Sequence, residues 1–474
     1  MFFNSMEFAI FLPIVFVLYW SLPHKYRWCC LLGASYYFYM SWNAKYIVLI
    51  VLSTVVCYVA GILIEKEKQK KRQRIILVVA LVICFGILFF FKYFNFVSES
   101  ITAILNQLAV DMNPITLDLL LPVGISFYTF QTLSYVVDVY RGQVKAEHHF
   151  GFFATFISFF PQLVAGPIER TQNLLPQFKE EKKFDYDQAV YGLRLMLWGF
   201  FKKLAIADVL SVYVDRAYNS LDNCSGLDLL IVIFFFTIQI YCDFSGYSDI
   251  AIGTAKLMGI QLMTNFKSPY FSKSVKEFWQ RWHISLSSWF RDYVYIPLGG
   301  NRCSKFRNAG NVCITFLLSG LWHGANWTFV LWGGIHGIAQ ILEKNLFRFK
   351  IKKGKLYNFI SVIIVFSFCN LAWVFFRAAT VQDALFVISK LFLSLRNPSG
   401  FFHITIGISK LGLIARLLPV GLLAIYDYAS FKMDVIDWIG SRKAIIRWGI
   451  YFLMVFFIIY RMPLETSSFI YFQF

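Results

Sequence analysis

The segment from Ser319 to Gly337 places two histidines in an aromatic sequence without a charged residue, SGLWHGANWTFVLWGGIHG. The first of them, His323, lies beside Trp322 and Asn326 and has no carboxylate within four residues on either side. An ionisable side chain in so apolar a segment indicates function by default. A neutral imidazole in a low-dielectric site is a competent general base for a hydroxyl group, because desolvation disfavours its charged form. His323 is therefore the first candidate for catalysis.

The second histidine, His336, follows thirteen residues after His323. On one continuous helix that separation is a rise of about 20 Å, too long for two side chains to bind the same metal ion. A shared metal site is therefore not expected unless Gly333 and Gly334 break the helix sharply. His336 is expected to be a hydrogen-bonded core histidine, with contact to a substrate as the alternative.

A third histidine, His283, belongs to the basic and aromatic segment from Met263 to Asn308, which lacks the apolar character of a membrane span. Large side chains recur there every three or four residues, which predicts one amphipathic helix from about Val275, lying in the membrane interface. This stripe consists of Trp279, Trp282, Leu286, Trp289 and Tyr293. His283 lies between Arg281 and Arg291 on this helix, and it is either a second catalytic candidate or one more interfacial ring.

Several signatures of soluble enzymes are missing from the sequence. It contains no GxSxG nucleophile turn, no GxxxxGK[ST] phosphate loop, no GxGxxG and no HExxH. The chain therefore has no obvious hydrolase nucleophile of its own. Asp243 and Asp249, in the apolar sequence YCDFSGYSDI, suit an ion or proton pathway, or hydrogen bonding to a broken backbone.

The elements that must position these residues are membrane helices. Of the 474 residues, 58% are hydrophobic and 15% are charged, which excludes an ordinary soluble domain. Apolar runs approaching the roughly 20 residues of a spanning helix are distributed over the whole chain. They are Phe8 to Leu22, Tyr46 to Ile64, Ile75 to Val97, Leu229 to Ile240, Val312 to Val330, Phe359 to Val374, Ile414 to Tyr426 and Trp448 to Ile459.

Two other segments mix apolar residues with glycine, proline and polar side chains. They are Leu119 to Arg141 and Phe159 to Arg170. In a membrane, irregular backbone is tolerated only where protein or a cavity satisfies its polar groups. Both segments therefore predict broken or re-entrant helices that line a cavity, or kinks in ordinary helices.

The formal net charge of +18 would suit a nucleic-acid partner, but the basic residues gather in short runs between apolar segments. That distribution is the positive-inside pattern, and it places Glu65 to Arg74 and Lys344 to Lys355 in the cytoplasm. Counting spans back from Glu65 puts the N-terminus outside. No nucleic-acid partner is expected, whereas anionic membrane lipid is. Phe2 to Leu22 lacks a basic n-region and a cleavage site, so it is predicted to be a retained first helix.

Two long motifs resemble the membrane-bound O-acyltransferase (MBOAT) family, in its bacterial branch of alginate O-acetylases and teichoic acid D-alanyl transferases. They are FWQRWHISLSSWFRDYVYIPLGG at residues 278–300 and GLWHGANW at residues 320–327. The two broken segments and residues 241–250 also fit this branch, so the resemblance covers most of the chain. It implies an all-α integral membrane fold, a ring of about 11 to 13 tilted helices with re-entrant and interfacial helices around a thinned central tunnel.

The resemblance also implies roles for particular residues. His323 matches the active-site histidine of the family and His283 its second functional histidine. The residues expected to contact the substrate are Trp282, Trp322, Asn326 and Arg281. Acetyl-CoA is implied as the acyl donor, with no bound cofactor and no metal.

The last six residues, FIYFQF, resemble an F-x-Y-x-x-F motif. In teichoic acid D-alanylation this motif ends a separate small protein and offers its tyrosine as an acyl carrier. A phenol, with a pKa of about 10, is deprotonated more easily than an alkyl hydroxyl and leaves more readily afterwards. Tyr471 is therefore predicted to carry an acyl group, with an aromatic anchor at the membrane interface as the alternative. The predicted organisation is a polytopic domain at residues 1–463 and a carrier-like tail at residues 464–474.

Together these features imply a multi-pass O-acetyltransferase of the bacterial cytoplasmic membrane. It would move acetyl from a cytoplasmic thioester for O-acetylation of an extracellular or cell-wall polysaccharide. Because the chain has no nucleophile turn, an extracytoplasmic partner resembling the SGNH hydrolases is expected to finish the transfer. The alternatives are D-alanyl transfer to teichoic acid, or a transporter with a proton path through His323, Asp243 and Asp249.

Overall fold

The computed structural model describes residues 1–164, 166–346, 354–396, 404–462 and 469–470. Over these residues the chain is helical and has no strand, so the all-α prediction is confirmed. The contacts group the chain into two compact units. One is Met1–Leu193 with Ile250–Met263, and the other is Arg194–Asp249 with Thr264–Phe474.

The first unit contains the N-terminal helices and a π-helical turn at Phe89–Tyr93. Its helices are α1 (Met6–Ser21), α2 (His24–Asn43), α3 (Ile47–Lys66), α4 (Lys70–Leu88), α5 (Phe94–Gln107), α6 (Ile125–Tyr140), α7 (Phe150–Ser158), α8 (Phe160–Leu163) and α9 (Thr171–Lys179). Two longer helices belong partly to each unit: α10 (Tyr186–Phe200) and α12 (Gly226–Leu257).

The second unit carries the three histidines singled out above and two π-helical turns, Phe201–Ala207 and Arg291–Tyr295. Its remaining helices are α11 (Asp208–Tyr218), α13 (Val275–Arg281), α14 (Ile284–Phe290), α15 (Lys305–His323), α16 (Trp327–Leu346), α17 (Lys355–Arg377), α18 (Val381–Ser394), α19 (Lys410–Ala429), α20 (Val435–Gly440) and α21 (Ala444–Arg461).

Six helical stretches among the described residues are long and apolar enough to cross a membrane. They are His24–Lys66, Lys70–Gln107, Gly226–Leu257, Lys355–Arg377, Lys410–Ala429 and Ala444–Arg461. In the last of these, Ile445 is 84% and Phe452 67% exposed. Water would oppose exposure of so much apolar surface, whereas lipid solvates it. The integral membrane class is therefore confirmed, and these stretches contain six of the eight predicted apolar runs.

The predicted run from Val312 to Val330 is not one helix, which corrects the sequence-based expectation. Helix α15 ends at His323, and α16 begins at Trp327 after a short extended connection. The two helices form a tight hairpin because two glycines allow their backbones to touch. A Cβ atom at Gly320 would lie 2.1 Å from the carbonyl oxygen of Phe329, and one at Gly333 2.2 Å from that of Phe316. Small residues at a membrane helix interface permit this close approach.

The two segments predicted to be broken are broken. Helix α6 begins only at Ile125, after Gly124 adopts a left-handed conformation with φ +75°. In the other segment, α7 ends at Ser158 and the four-residue α8 follows, and the described residues from there to Arg170 are not helical.

Candidate active site

His323 is the last residue of α15 and is buried, with 2% exposure. Its imidazole lies among the rings of Trp322, Trp332 and Phe376, with centroid distances of 5.0, 5.1 and 5.3 Å. Because the C-terminal end of a helix carries partial negative charge, this position favours a cation. The local sequence therefore places an imidazole where accepting a proton is stabilised by the helix that carries it.

His283 interrupts the aromatic helix that the sequence predicts as continuous. Helix α13 ends at Arg281, α14 begins at Ile284, and His283 between them is left-handed at φ +43°. A non-glycine residue pays about 1–2 kcal/mol for this conformation, so the surroundings must hold it. They do so through backbone bonds, since the Ile284 N–H donates to the carbonyl oxygen of Asn265 at 3.0 Å. The prediction of one interfacial helix was wrong, because the periodic spacing carries no sign of a left-handed residue.

This break turns the His283 ring toward His323, and the two ring centroids are 6.3 Å apart. Trp322 contacts both imidazoles, at 5.9 Å from His283 and 5.0 Å from His323. His283 is fully buried, and burial lowers its pKa to about 3. Its ring is therefore neutral at physiological pH and can serve as a hydrogen-bonding group without carrying charge.

His336 lies in the same aromatic cluster, on the far side of Trp332. The Trp332 ring is 5.1 Å from His323 and 5.0 Å from His336. The Trp279 indole N–H donates to Nδ1 of His336 at 3.2 Å, which is consistent with the predicted hydrogen-bonded core histidine. The assumption of a continuous helix between the two histidines was wrong, because the α15–α16 hairpin folds them onto one indole.

The aromatic wall of the cluster includes rings that the sequence reasoning missed. Trp282, which it did single out, lies 5.0 Å from Trp373 of α17, and Trp373 lies 5.3 Å from Trp332. Phe376 of α17 contacts His323 directly. A usable signal was the spacing of Trp373 and Phe376, because residues three apart lie on the same face of a helix.

Comparison with known proteins identifies the family of this chain. The model of the membrane-bound O-acyltransferase family matches residues 142–378, which contain His283, His323 and His336. A probable alginate O-acetylase of Azotobacter vinelandii is 40% identical over 94% of this chain and 88% of its own length. The peptidoglycan O-acetyltransferase of Helicobacter pylori is 32% identical over 100% of this chain and 97% of its own. This chain belongs to the membrane-bound O-acyltransferase family.

A third relative of this acyltransferase matches a shorter stretch. The teichoic acid D-alanyltransferase of Streptococcus thermophilus is 31% identical over 52% of this chain and 63% of its own length. The resemblance drawn from the sequence motifs is therefore confirmed, together with its acyltransferase class.

Two residues that are predicted to contact the substrate bond to other groups of the protein in this structure. Arg281 pairs with Glu277 at 2.9 Å and lies over the ring of Phe431. The side chain of Asn326 accepts from the Thr328 N–H at the start of α16 and donates to the carbonyl oxygen of Ala379. Neither contact tests a role in substrate binding, which stays a prediction.

The predicted carrier, Tyr471, lies outside the described residues, but the two residues before it are described and buried. The Ile470 N–H donates to Oδ2 of Asp243 at 2.8 Å. The ring of Phe469 lies 5.8 Å from that of Phe244, which in turn lies 4.5 Å from His283. The start of the tail motif is thus one ring away from the histidine cluster.

The two aspartates considered for a proton path are both ion-paired. Asp243 lies 2.7 Å from Nζ of Lys203, and Asp249 lies 2.7 Å from Nζ of Lys202. Both lysines belong to the π-helical turn Phe201–Ala207, and π-helical turns occur often at functional sites. These contacts favour the structural interpretation of the aspartates over a transport path.

Proposed function

We propose that this acyltransferase moves an acetyl group from a cytoplasmic thioester, acetyl-CoA, across the membrane for O-acetylation of an extracellular or cell-wall polysaccharide. The observation that carries the proposal is the placement of the tail residues Phe469 and Ile470 beside the cluster of His283 and His323. The names of two relatives support the acceptor class, because alginate and peptidoglycan both contain polysaccharide chains.

In the first step, the hydroxyl oxygen of Tyr471 attacks the thioester carbonyl carbon while His323 accepts its proton. The carbon–sulfur bond then breaks, and the imidazolium returns the proton to the departing thiolate of CoA. The products are free CoA and an acetyl ester on Tyr471. Because His323 ends α15, the helix stabilises the imidazolium that forms between these events.

In the second step, a serine hydroxyl of an SGNH-hydrolase-like partner attacks the tyrosyl ester on the outer side. The ester bond to Tyr471 breaks, and the phenolate takes up the serine proton. Such a partner is needed because the chain has no nucleophile turn of its own. The proposed orientation has the N-terminus outside and the basic runs in the cytoplasm, and the proposed site is the bacterial cytoplasmic membrane.

The neutral His283 is proposed to position the donor by hydrogen bonding, with Trp282 and Trp322 packing against its acyl end. Arg281 and Asn326 are proposed to contact the substrate from outside this aromatic cluster. Buried groups arranged in advance around a reacting centre lower the barrier without reorganising during the reaction.

Replacement of Tyr471 by phenylalanine tests the proposal, because it removes one oxygen and keeps the ring. We expect loss of acetylated product with normal abundance in the membrane, whereas Tyr460→Phe, in the exposed part of α21, should leave product unchanged. With the partner absent, mass spectrometry should find acetyl on the C-terminal peptide of the wild type, dependent on His323. An active Tyr471→Phe enzyme would exclude the tyrosine as carrier.

Consumption of acetyl-CoA by the purified protein without an ion gradient would distinguish an enzyme from a transporter. D-alanyl on the C-terminal peptide in place of acetyl would indicate D-alanyl transfer.

A further inference from the structure

A buried lysine lies between two aspartates in the second unit. Nζ of Lys203 is 2.8 Å from Asp208 and 2.7 Å from Asp243, and all three side chains are at most 4% exposed. The π-helical turn brings Lys203 against α12 because the two backbones approach closely. A Cβ atom at Gly246 would lie 2.8 Å from the carbonyl oxygen of Gly199.

Asp243 uses its second oxygen to hold a residue 227 positions further along the chain, through the Ile470 N–H. The rings of Phe244 and Tyr247 contact the adjacent Phe469, with the Tyr247 ring 4.7 Å away. These three residues of α12 are spaced i, i+1 and i+4, so they lie within little more than one turn. One short stretch of α12 therefore presents a carboxylate and two aromatic rings to two consecutive residues of the tail.

The charges around Asp243 explain why its carboxylate can accept a hydrogen bond from the backbone N–H group of Ile470. A buried carboxylate is costly unless it is paired and hydrogen-bonded. Lys203 supplies the countercharge to Asp243 and is shared with Asp208, so the remaining Asp243 oxygen can accept from the tail. A hydrogen bond to an ionised acceptor is roughly twice as strong as a neutral one. Binding to a backbone group fixes the register of the tail, while the ring pocket selects an aromatic side chain at position 469.

Asp249 provides an internal comparison on the same helix. It pairs with Lys202, which also donates to Oγ of Ser245 at 2.9 Å. The contacts described for Asp249 involve no tail residue. The two lysine–aspartate pairs thus share their chemistry, and one of them also holds the tail.

We propose that Asp243, Phe244 and Tyr247 form a docking site for the C-terminal tail, and that Asp243 is a positioning residue for Tyr471. The site recognises the first two residues of the F-x-Y motif, through the ring of Phe469 and the backbone N–H of Ile470. The positioning role rests on the proposed function of Tyr471 as carrier, whereas the docking does not. Since Tyr471 follows Ile470 directly, a bond that fixes the Ile470 backbone limits where the phenol can reach.

Photo-crosslinking measures the docking directly. With p-benzoylphenylalanine in place of Phe469, irradiation should join the tail to the α12 peptide that contains Tyr247. Asp243→Asn removes the charge from the acceptor, and Asp243→Ala removes the acceptor while Lys203 keeps Asp208. Both changes should lower the crosslinking yield about tenfold, as loss of a hydrogen bond to a charged group would. Asp249→Asn is the matched control and should preserve the yield.

Transfer kinetics measure the positioning role in the same variants. For Asp243→Asn, acetylation of Tyr471 should slow about tenfold with an unchanged KM for acetyl-CoA, because the donor site is intact. Equal thermal unfolding midpoints for Asp243→Asn and Asp249→Asn would show that the loss does not come from misfolding.

Each outcome decides between the two proposals. Loss of crosslinking together with loss of transfer in the Asp243 variants, but not in Asp249→Asn, supports docking and positioning. Loss of crosslinking with normal product confirms docking and overturns the positioning role of Asp243, while Tyr471→Phe tests the carrier role separately. Normal crosslinking overturns the docking site whether product is lost or not, and equal losses in Asp249→Asn would overturn the specific role of Asp243.

Discussion

Two polar clusters of the second unit offset the cost of burying polar side chains in different ways. The imidazole cluster consists of His283, His323 and His336 among aromatic rings. The ion-pair cluster consists of Lys202, Lys203, Asp208, Asp243 and Asp249. Polar groups in an apolar interior must be either neutral or paired. Burial keeps His283 neutral, whereas each aspartate of the ion-pair cluster is paired with a lysine.

The two clusters are suited to different tasks. A neutral imidazole can gain a proton during a reaction and lose it again, so the imidazole cluster suits chemistry. A lysine between two carboxylates is held by charge and geometry, so the ion-pair cluster suits anchoring. We therefore expect changes in the first cluster to reduce turnover at normal stability, and changes in the second to reduce stability or tail placement.

The largest expected effect is on turnover, in His323→Ala. Loss of a general base typically costs roughly 10²- to 10⁴-fold in rate, so acetylation should be nearly abolished at normal protein abundance. His336→Gln is the matched comparison and should lose less than about tenfold, because His336 is bonded to Trp279. Product formation from acetyl-CoA measures both. Wild-type-like activity of His323→Ala would remove the chemical role of the imidazole cluster.

The next effect is on stability, in Lys203→Met. Removing one partner of a buried ion pair typically costs about 3–5 kcal/mol, because the remaining charge stays buried. Here two aspartates would lose their shared lysine. Lys202→Met should cost less, because it leaves one aspartate without its lysine, whereas Lys203→Met leaves two. Unfolding in detergent compares the two variants, and equal losses would contradict this ranking.

A smaller effect tests the hairpin that carries the imidazole cluster. Gly333→Ala should push α16 away from α15, because its Cβ would lie 2.2 Å from a backbone oxygen, and overpacking of this kind costs about 1–3 kcal/mol. Gly334→Ala is the control one residue away, where the added Cβ would lie 3.5 Å from a methyl group of Leu317. We expect lower stability and activity in the first variant only. Similar behaviour of both would mean that the glycine contact does not position His323.

The effect that is smallest at neutral pH is a dependence of stability on pH caused by His283. Its pKa in the folded protein is about 3, below the ordinary value of about 6.5, so between these values the unfolded chain binds a proton that the folded chain does not. The stability that this group contributes is complete above about pH 6.5 and is lost as pH falls toward 3. The slope is at most about 1.4 kcal/mol per pH unit.

His283→Gln should therefore make the unfolding midpoint less sensitive to pH between 7 and 4.5. The control is His148→Gln, at a histidine whose side chain is 61% exposed. An unchanged slope in His283→Gln would show that His283 titrates alike in the folded and unfolded chain, and would argue against its burial as a neutral ring.

Some features of the candidate site could be predicted from single residues, and others could not. His323 was identified because an imidazole stands in a charge-free aromatic run, and the structure buries it. The expected distance of about 20 Å between His323 and His336 holds only if one unbroken helix joins them. The chain turns at Gly324 instead, so this expectation does not apply. The left-handed conformation of His283 could not be predicted, because hydrophobic spacing indicates which residues share a face of a helix. It does not indicate where the backbone changes its conformation.

The membrane class, the helical content and the family follow from the sequence alone, because apolar runs and long motifs are local properties of the chain. The contacts of Phe469 and Ile470 with α12, and the rings of Trp373 and Phe376 around the histidines, are visible only in the folded chain. These contacts join residues far apart in the chain. They depend on the close backbone contacts at Gly246, Gly320 and Gly333, and on which lysine pairs with which aspartate. The spacing of residues along the chain encodes neither of these two features.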